Sequence, residues 1–341
     1  MKQPCPGSLD EIRDLITGLP GADLSAQGVA QKREPQLTKP AGSLGRLEHV
    51  ASWLSAWQGK HPSTLNDVAV NVFAGNHGIA AQGVSAFPAE VTVQMVGNFQ
   101  AGGAAINQLC KLQGAALQVF ALDLNTPTQD FSVAPAMDED AFMAAFCTGW
   151  ESVNPSMDLL CVGEMGIGNT TAAAAVAHAL FGGSGADWAG PGTGVSGTEL
   201  DNKSRLVSES VLKHKPAMTD GLEVLRHVGG RELVAIAGAV LAARIYHTPV
   251  VLDGYVATAA AAPIATCLDG GLDHCIAGHV SKEPGHRRLL GNLGMEPLLD
   301  LGMRLGEASG AAVAIGIIRA AHSCHNGMAT FAEAGVSDKE V

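Results

Sequence analysis

Three carboxylates stand at glycine-flanked positions, where packing offers a charged side chain little: Glu164 in G-E-M-G-I-G-N-T-T, Asp253 in L-D-G, and Glu307 in L-G-E-A-S-G. Glu307 interrupts a glycine-rich segment between two apolar runs. A carboxyl partly desolvated there has its pKa raised from about 4.3 toward the range useful to a general base. The same position also suits an acidic residue favoured by the dipole of the following helix. Asp253 reads equally as a turn residue ahead of Gly254. Next to Glu164, the run Gly166-Ile167-Gly168-Asn169-Thr170-Thr171 leads into an alanine-rich segment of high helix propensity. A strand, a glycine turn and a helix present backbone N–H groups and a helix N-terminus to an anion. The chemistry indicated is a phosphate-bearing ligand with a carboxylate beside it. His77, in A-G-N-H-G, is a further candidate at a strand end; it could equally satisfy loop backbone.

Other signals are weaker or absent. Gly192-Thr193-Gly194-Val195-Ser196-Gly197 is formally G-x-G-x-x-G, but Asp187-Trp188-Ala189-Gly190-Pro191 leaves no strand before it, so a loop over a ligand fits better than a dinucleotide fingerprint. There is no G-x-x-x-x-G-K-[ST] and no G-x-S-x-G, which disfavours P-loop hydrolysis and a serine elbow. His322-Ser323-Cys324-His325 is the one histidine–cysteine cluster and has no second ligand pair, so neither a metal nor another cofactor is expected. Lys39 and Arg46, in T-K-P-A-G-S-L-G-R-L-E, belong either to a connecting loop or to a basic segment folded over a site.

The elements that must hold these groups alternate. Strands are expected near 68–74, 116–122, 159–162, 249–252 and 273–280. The helices expected are Ser8–Leu19, Gln27–Leu37, Leu47–Gln58, Ala89–Gln100, Gly102–Cys110, 138–146, Thr171 onward, Thr198–Lys213, Asp220–His227, Glu232–Tyr246, Val256–Cys267, Met295–Leu305 and Ala311–Ala321. Strands alternating with helices imply an α/β fold with a doubly wound, mostly parallel sheet, whose ligands lie at the strands' C-terminal ends. Glu164, His77 and Asp253 occupy such ends. The strandless stretches, 1–60 and 321–341, are expected to form a small helical subdomain beside an α/β domain of 61–320.

With 47% hydrophobic and 16% charged residues the chain can bury a substantial core. A net charge of −12 argues against nucleic acid or an anionic membrane surface as partner, though not against one phosphate. The seven cysteines, odd in number and without C-x-x-C, read as reduced thiols of a cytoplasmic protein. The N-terminus lacks an apolar signal core, and no run is long enough to span a membrane.

Five segments in order, K-P-A-G-S-L-G-R-L-E (39–48), A-G-N-H-G-I-A-A-Q-G-V-S-A-F-P-A-E-V-T-V-Q-M (74–95), G-E-M-G-I-G-N-T-T (163–171), L-D-G (252–254) and R-L-G-E-A-S-G-A-A (304–312), give the chain a resemblance to a family. It resembles the nicotinate-nucleotide–dimethylbenzimidazole phosphoribosyltransferases of cobalamin biosynthesis. The resemblance implies transfer of phosphoribose from nicotinate mononucleotide to 5,6-dimethylbenzimidazole, with Glu307 as base and Glu164 near the ribose or the developing cation. It implies that Gly166, Ile167, Gly168, Asn169, Thr170, Thr171 and Lys203 hold the phosphoribosyl group. The 84–95 segment, with Ser85, Phe87, Gln94 and Met95, would line the base pocket, together with His77. It further implies a Rossmann-like large domain, a helical subdomain built from both chain ends, and a homodimer in which one subunit's small domain closes the other's site. Some members of the family carry a polar residue before the proline of the base-pocket segment. Phe87 stands there in this chain, which leaves another benzimidazole, a purine or a phenol open as acceptor. A phosphorylase-type glycosyltransferase and a non-catalytic nucleotide-binding protein are the alternatives.

Overall fold

The computed structural model describes residues 2–337. Three helices, α1 (Leu9–Thr17), α2 (Leu24–Arg33) and α3 (Arg46–Gln58), precede the first strand. β1 (Val68–Ala74) is followed by α4 (Glu90–Ala101), α5 (Ala105–Gln113), β2 (Ala116–Ala121), α6 (Glu139–Glu151) and β3 (Leu159–Met165). Next come α7 (Asn169–Phe181), the single turn α8 (Gly185–Trp188), α9 (Thr198–His214), α10 (Gly221–Val228) and α11 (Arg231–Ile245). β4 (Val250–Leu252), α12 (Tyr255–Cys267), β5 (Cys275–Ala277), α13 (Pro284–Asn292), α14 (Ser309–Gly327) and α15 (Phe331–Ala334) complete the described chain. Side chains start several helices. Ser8 accepts from the Glu11 amide at 3.2 Å, while the Glu11 carboxylate reaches back to the Gly7 amide rather than to Ser8.

The five strands are all parallel, in the order β2-β1-β3-β4-β5. Alternate side chains feed two cores. Ala69, Phe73, Leu160, Val162, Val250 and Leu252 pack with α6, α7, α11 and α12, whereas Val68, Val70, Val72, Leu159, Cys161 and Val251 pack with α3, α5 and α14. A sheet covered on both faces explains why its strands read as continuous apolar runs. The chain reverses its direction of winding between β1 and β3, so a crevice opens at their C-terminal ends, where open α/β sheets bind ligands.

The α6–α11 contact is unusually close. A Cβ on Gly149 would lie 1.8 Å from the Ala235 carbonyl oxygen, and one on Gly238 would lie 2.3 Å from that of Phe146. Gly149→Ala is therefore expected to destabilise the protein by about 3 kcal/mol through forced separation of the two helices. Urea titration would measure this, with Gly97→Ala as control because nothing lies within 4 Å of its added methyl. An unchanged midpoint for Gly149→Ala would contradict the packing described.

Several expectations are corrected. Residues 295–305 form no helix; the helix lies earlier, over Pro284–Asn292, started by Pro284. Pro297, Gly302 and Gly306 interrupt the later stretch, which instead pairs once with β5's extension through Leu299 and His279. β5 itself spans only Cys275–Ala277. α7 begins at Asn169, two residues before Thr171, and α14 runs on to Gly327. The cysteines are not all free: Cys5 and Cys147 are joined, and the other five are thiols. At a sequence separation of 142, no local spacing pointed to that pair. The N-terminal segment lies across α6, where Trp150 Nε1 donates to the Gln3 carbonyl at 3.1 Å.

The two chain ends meet, as Leu37 bridges to Thr330 and Arg33 donates to the carbonyls of His325 and Met328. α1, however, buries Leu9, Ile12 and Ile16 in the larger core of the α/β body. No helix of the described residues is long and apolar enough to cross a membrane.

Candidate active site

At the C-terminal edge of the sheet, strand ends deliver His77, Glu164, Asp253 and His279 toward one region. In register, Glu164 lies beside Phe73 and Met165 beside Ala74. Just beyond, the Gly75 amide donates to the Met165 carbonyl at 3.0 Å. A Cβ at Gly166 would lie 2.6 Å from the Gly75 carbonyl, so the floor of the crevice requires glycine. The turn that follows starts α7 with Gly168 at φ 95° and no side-chain cap, leaving the helix N-terminus open. Such an end suits an anion. Within it the Ile167 amide is taken by Thr92 Oγ1 at 3.2 Å, so Ile167 braces the turn rather than offering its N–H.

Lys203 reaches this turn from α9. It is fully buried, and its ammonium donates to Thr170 Oγ1 at 2.8 Å and to the Gly190 carbonyl at 2.9 Å. Burial pulls its pKa down to about 8, against the pull of the Glu283 carboxylate. The 190–197 loop closes over the pair. The Gly192 amide donates to Glu283 Oε1 at 2.9 Å, and Thr193 Oγ1 lies 2.8 Å from Ser85 Oγ and accepts from the Ala86 amide at 3.1 Å. Arg304 donates to the Gly192 carbonyl at 3.4 Å. The structure thus links the glycine turn before α7, Lys203 and Ser85 through the 190–197 loop, expected from the sequence as a loop over a ligand.

Glu307 arrives from after β5. It is 4% exposed, its Oε2 has no hydrogen-bond partner, and burial pushes its pKa up to about 7. Its amide donates to the Glu164 carbonyl at 3.1 Å, which puts the two residues side by side although 143 positions separate them. The Glu164 carboxylate accepts from Asn169 Nδ2. Burial, followed by the charges of Asp253, Glu232 and Glu307, holds the Glu164 carboxyl well above the usual range. Asp253 is pushed up to about 7, chiefly by burial. With Glu232 beneath the floor, these buried carboxyls lean toward their neutral forms, and a cation entering the crevice would favour their ionised forms.

The remaining predicted residues are distributed differently. His77 is buried beneath the glycine turn, its Nε2 2.5 Å from Glu232 Oε1, and the same turn takes Thr92 of the 84–95 segment through the Ile167 amide. Phe87 is 52% exposed, Gln94 is exposed, and Met95 is half-buried against the α3–α5–α14 core. Lys39 and Arg46 cover no part of this crevice. Lys39 sits between Glu34 and Glu48, at 2.9 and 2.7 Å, and Arg46 pairs with Glu296. Lys39 and Glu48 instead line, with Trp53 and His325, a separate cavity of about 410 Å³.

His322 and His325 do not converge on a metal. His322 Nε2 meets the Ser63 carbonyl at 2.9 Å, while His325 lies between Glu34 and His61. No group of three or more metal-ligating side chains occurs among the described residues. Glu232, Glu283 and Thr193 were missed because each acts on a partner far away in sequence. Asp220–His227 and the next helix offered periodicity, not a hint that Glu232 ends under a turn at 166.

A phosphoribosyltransferase family model matches residues 19–336. A nicotinate-nucleotide–dimethylbenzimidazole phosphoribosyltransferase of Ruegeria pomeroyi is 57% identical, over 98% of this chain and 99% of its own. The enzyme of the same name from Mesorhizobium japonicum is 58% identical, over 97% of this chain and 99% of its own. The crystal structure of CobT from Thermus thermophilus superposes with a TM-score of 0.87 at 42% identity, covering 92% of this chain and all (100%) of that one.

Proposed function

Since the chain belongs to the nicotinate-nucleotide–dimethylbenzimidazole phosphoribosyltransferases, we propose that it moves the phosphoribosyl group of nicotinate mononucleotide onto 5,6-dimethylbenzimidazole or a related base, giving α-ribazole 5′-phosphate and nicotinate. The reaction provides a cobalamin lower ligand. The observation that carries the chemical reading is the unpartnered, buried Oε2 of Glu307 among carboxylates at the sheet's C-terminal edge.

The nicotinate ring is bonded to ribose through a pyridinium nitrogen. It departs with the bonding electron pair as a neutral ring nitrogen and needs no acid. The acceptor nitrogen attacks the anomeric carbon with its lone pair and becomes cationic, so the ring's N–H proton must go to a base. Glu307, pushed up to about 7 by burial, is poised to take it. Attack opposite the leaving group turns a β-glycosidic bond into an α one, through an oxocarbenium-like state related to that of inverting glycosidases. Carboxylates gathered around that carbon favour the developing charge. Glu164, already bonded to Asn169, serves the ribose or the cation rather than the proton.

The open N-terminus of α7, Thr170 and Lys203 receive the phosphate. Ser85, the exposed Phe87 and Gln94, and the half-buried Met95 of the 84–95 segment receive the base. The reading includes a homodimer, in which the helical end around Lys39 and Arg46 covers the partner's crevice, since within one chain it lies elsewhere. The exposed Phe87 and Val93, at 52% and 47%, fit such a covered face.

The test is incubation of the purified protein with nicotinate mononucleotide, with and without a panel of bases, following nicotinate by chromatography. Release that requires a benzimidazole is expected. Release with inorganic phosphate alone would favour a phosphorylase, and no release with any benzimidazole from folded protein would overturn the proposal.

A further inference from the structure

A buried carboxylate that the transfer step does not itself use stands at the end of β4. Asp253 is 1% exposed and faces the start of α14, just after Glu307. Its Oδ1 accepts from the Ala311 amide at 2.9 Å, the nearby amides of Gly310 and Ala308 favour its charged form, and its buried Oδ2 has no hydrogen-bond partner. His279, beyond β5, backs it with Nε2 3.6 Å from Oδ1. The backbone so held is in an unfavourable conformation. Glu307 and Ala308 are both left-handed, at φ 61° and 60°. Non-glycine residues keep such angles only where their surroundings over-determine them.

Two further contacts clamp the same turn. The Glu307 amide is tied to the Glu164 carbonyl at 3.1 Å. Gly163 lies so close that a Cβ there would come within 2.2 Å of the Ala308 nitrogen. On the far side, a Cβ on Gly310 would lie 2.0 Å from the His279 ring. Asp253 adds a side-chain restraint to these, because its hydrogen bond ties the Ala311 amide, in the first turn of α14, to the end of β4.

We propose that Asp253 is a positioning residue for Glu307: it fastens the 307–311 turn so that the glutamate stays beside Glu164 at the sheet edge. The inference rests on Glu307 being the base. Asp253→Ala removes the acceptor for the Ala311 amide, and Asp253→Asn retains one oxygen there. A misplaced base costs turnover rather than binding, because the phosphate is held at the N-terminus of α7.

The experiment is steady-state kinetics of full-length Asp253→Ala, Asp253→Asn, Glu307→Gln and the two double variants, with thermal melting of each. Asp253→Ala is expected to lower kcat about 100-fold, in line with the cost of a displaced catalytic group. KM for nicotinate mononucleotide should stay within about threefold of the unmodified value, and Asp253→Asn should recover most of kcat. Adding either Asp253 change to Glu307→Gln should slow it no further, as expected for residues acting as one unit.

An unchanged kcat in Asp253→Ala, a KM rise matching the loss of kcat, or multiplied losses in the double variants would overturn the proposal. Should the alanine variant fail to fold, the asparagine variant and its double carry the same comparison. If Glu307 is not the base, Glu307→Gln alone keeps its turnover, which separates that failure from one of Asp253.

Discussion

Replacing Glu307 by Gln is expected to slow phosphoribosyl transfer by about 100-fold or more, in line with the loss of a general base, while binding of nicotinate mononucleotide is retained. Glutamine keeps the size and hydrogen-bonding reach of the side chain but cannot take a proton. The carboxylate contributes no hydrogen bond through Oε2, so its loss should cost the fold little. In the proposed reading, mononucleotide binding depends on the turn before α7 and on Lys203, which the substitution leaves in place. The check is kcat with 5,6-dimethylbenzimidazole as acceptor, set against mononucleotide-induced thermal stabilisation of the same variant. Unchanged turnover would move the proton to another carboxylate, with Glu164 the nearest in contact.

Lys203→Met is expected to raise KM for nicotinate mononucleotide about 30-fold, the scale of a lost hydrogen bond to a charged group. Lys203 is the buried cation beside Thr170, and its neighbour Glu283 carries the opposite charge into the same loop. Methionine fills the space yet leaves Thr170 Oγ1 and the Gly190 carbonyl without their donor. Part of the loss could therefore come from loop disorder. Nicotinate riboside, which lacks the phosphate, separates the two effects. The penalty should largely vanish with the riboside if Lys203 serves the phosphate. An equal penalty with both substrates would show that the lysine acts only to hold the 190–197 loop.

Much of this arrangement was legible in the sequence because it is local. Leu159–Val162 is too short and apolar to be anything but a buried strand, and the glycines after it can lead only to a turn and the alanine-rich helix. Glu307 was conspicuous because glycines on both sides left it no packing role. What could not be read is what depends on partners brought from afar. The Glu232 under His77, the Glu283 on the Gly192 amide and the Asp253 on the Ala311 amide depend on how distant elements pack, and no spacing encodes them.

His77 shows the limit well. Its place at a strand end was anticipated, but its burial against Glu232 depends on how α11 packs onto β1. The misplaced helix at 295–305 has a different cause. Its leucines mimic helical periodicity, while Gly302 and Gly306, both at positive φ, bend the backbone into the approach to Glu307. The Cys5–Cys147 bond follows from the N-terminal segment lying on α6, a contact without any local signal.

The pH dependence of kcat tests the role of Glu307 most directly. A base acts only when unprotonated, so with a carboxyl pushed up to about 7, log kcat should rise with unit slope through mildly acidic pH and level off above neutrality. The same profile measured for Glu307→Gln should lose that limb, whereas a limb due to protonation of the acceptor base would persist in both. A limb near neutrality in the unmodified protein that disappears in the glutamine variant is the predicted result. Identical profiles for the two proteins would contradict the assignment of the proton to Glu307.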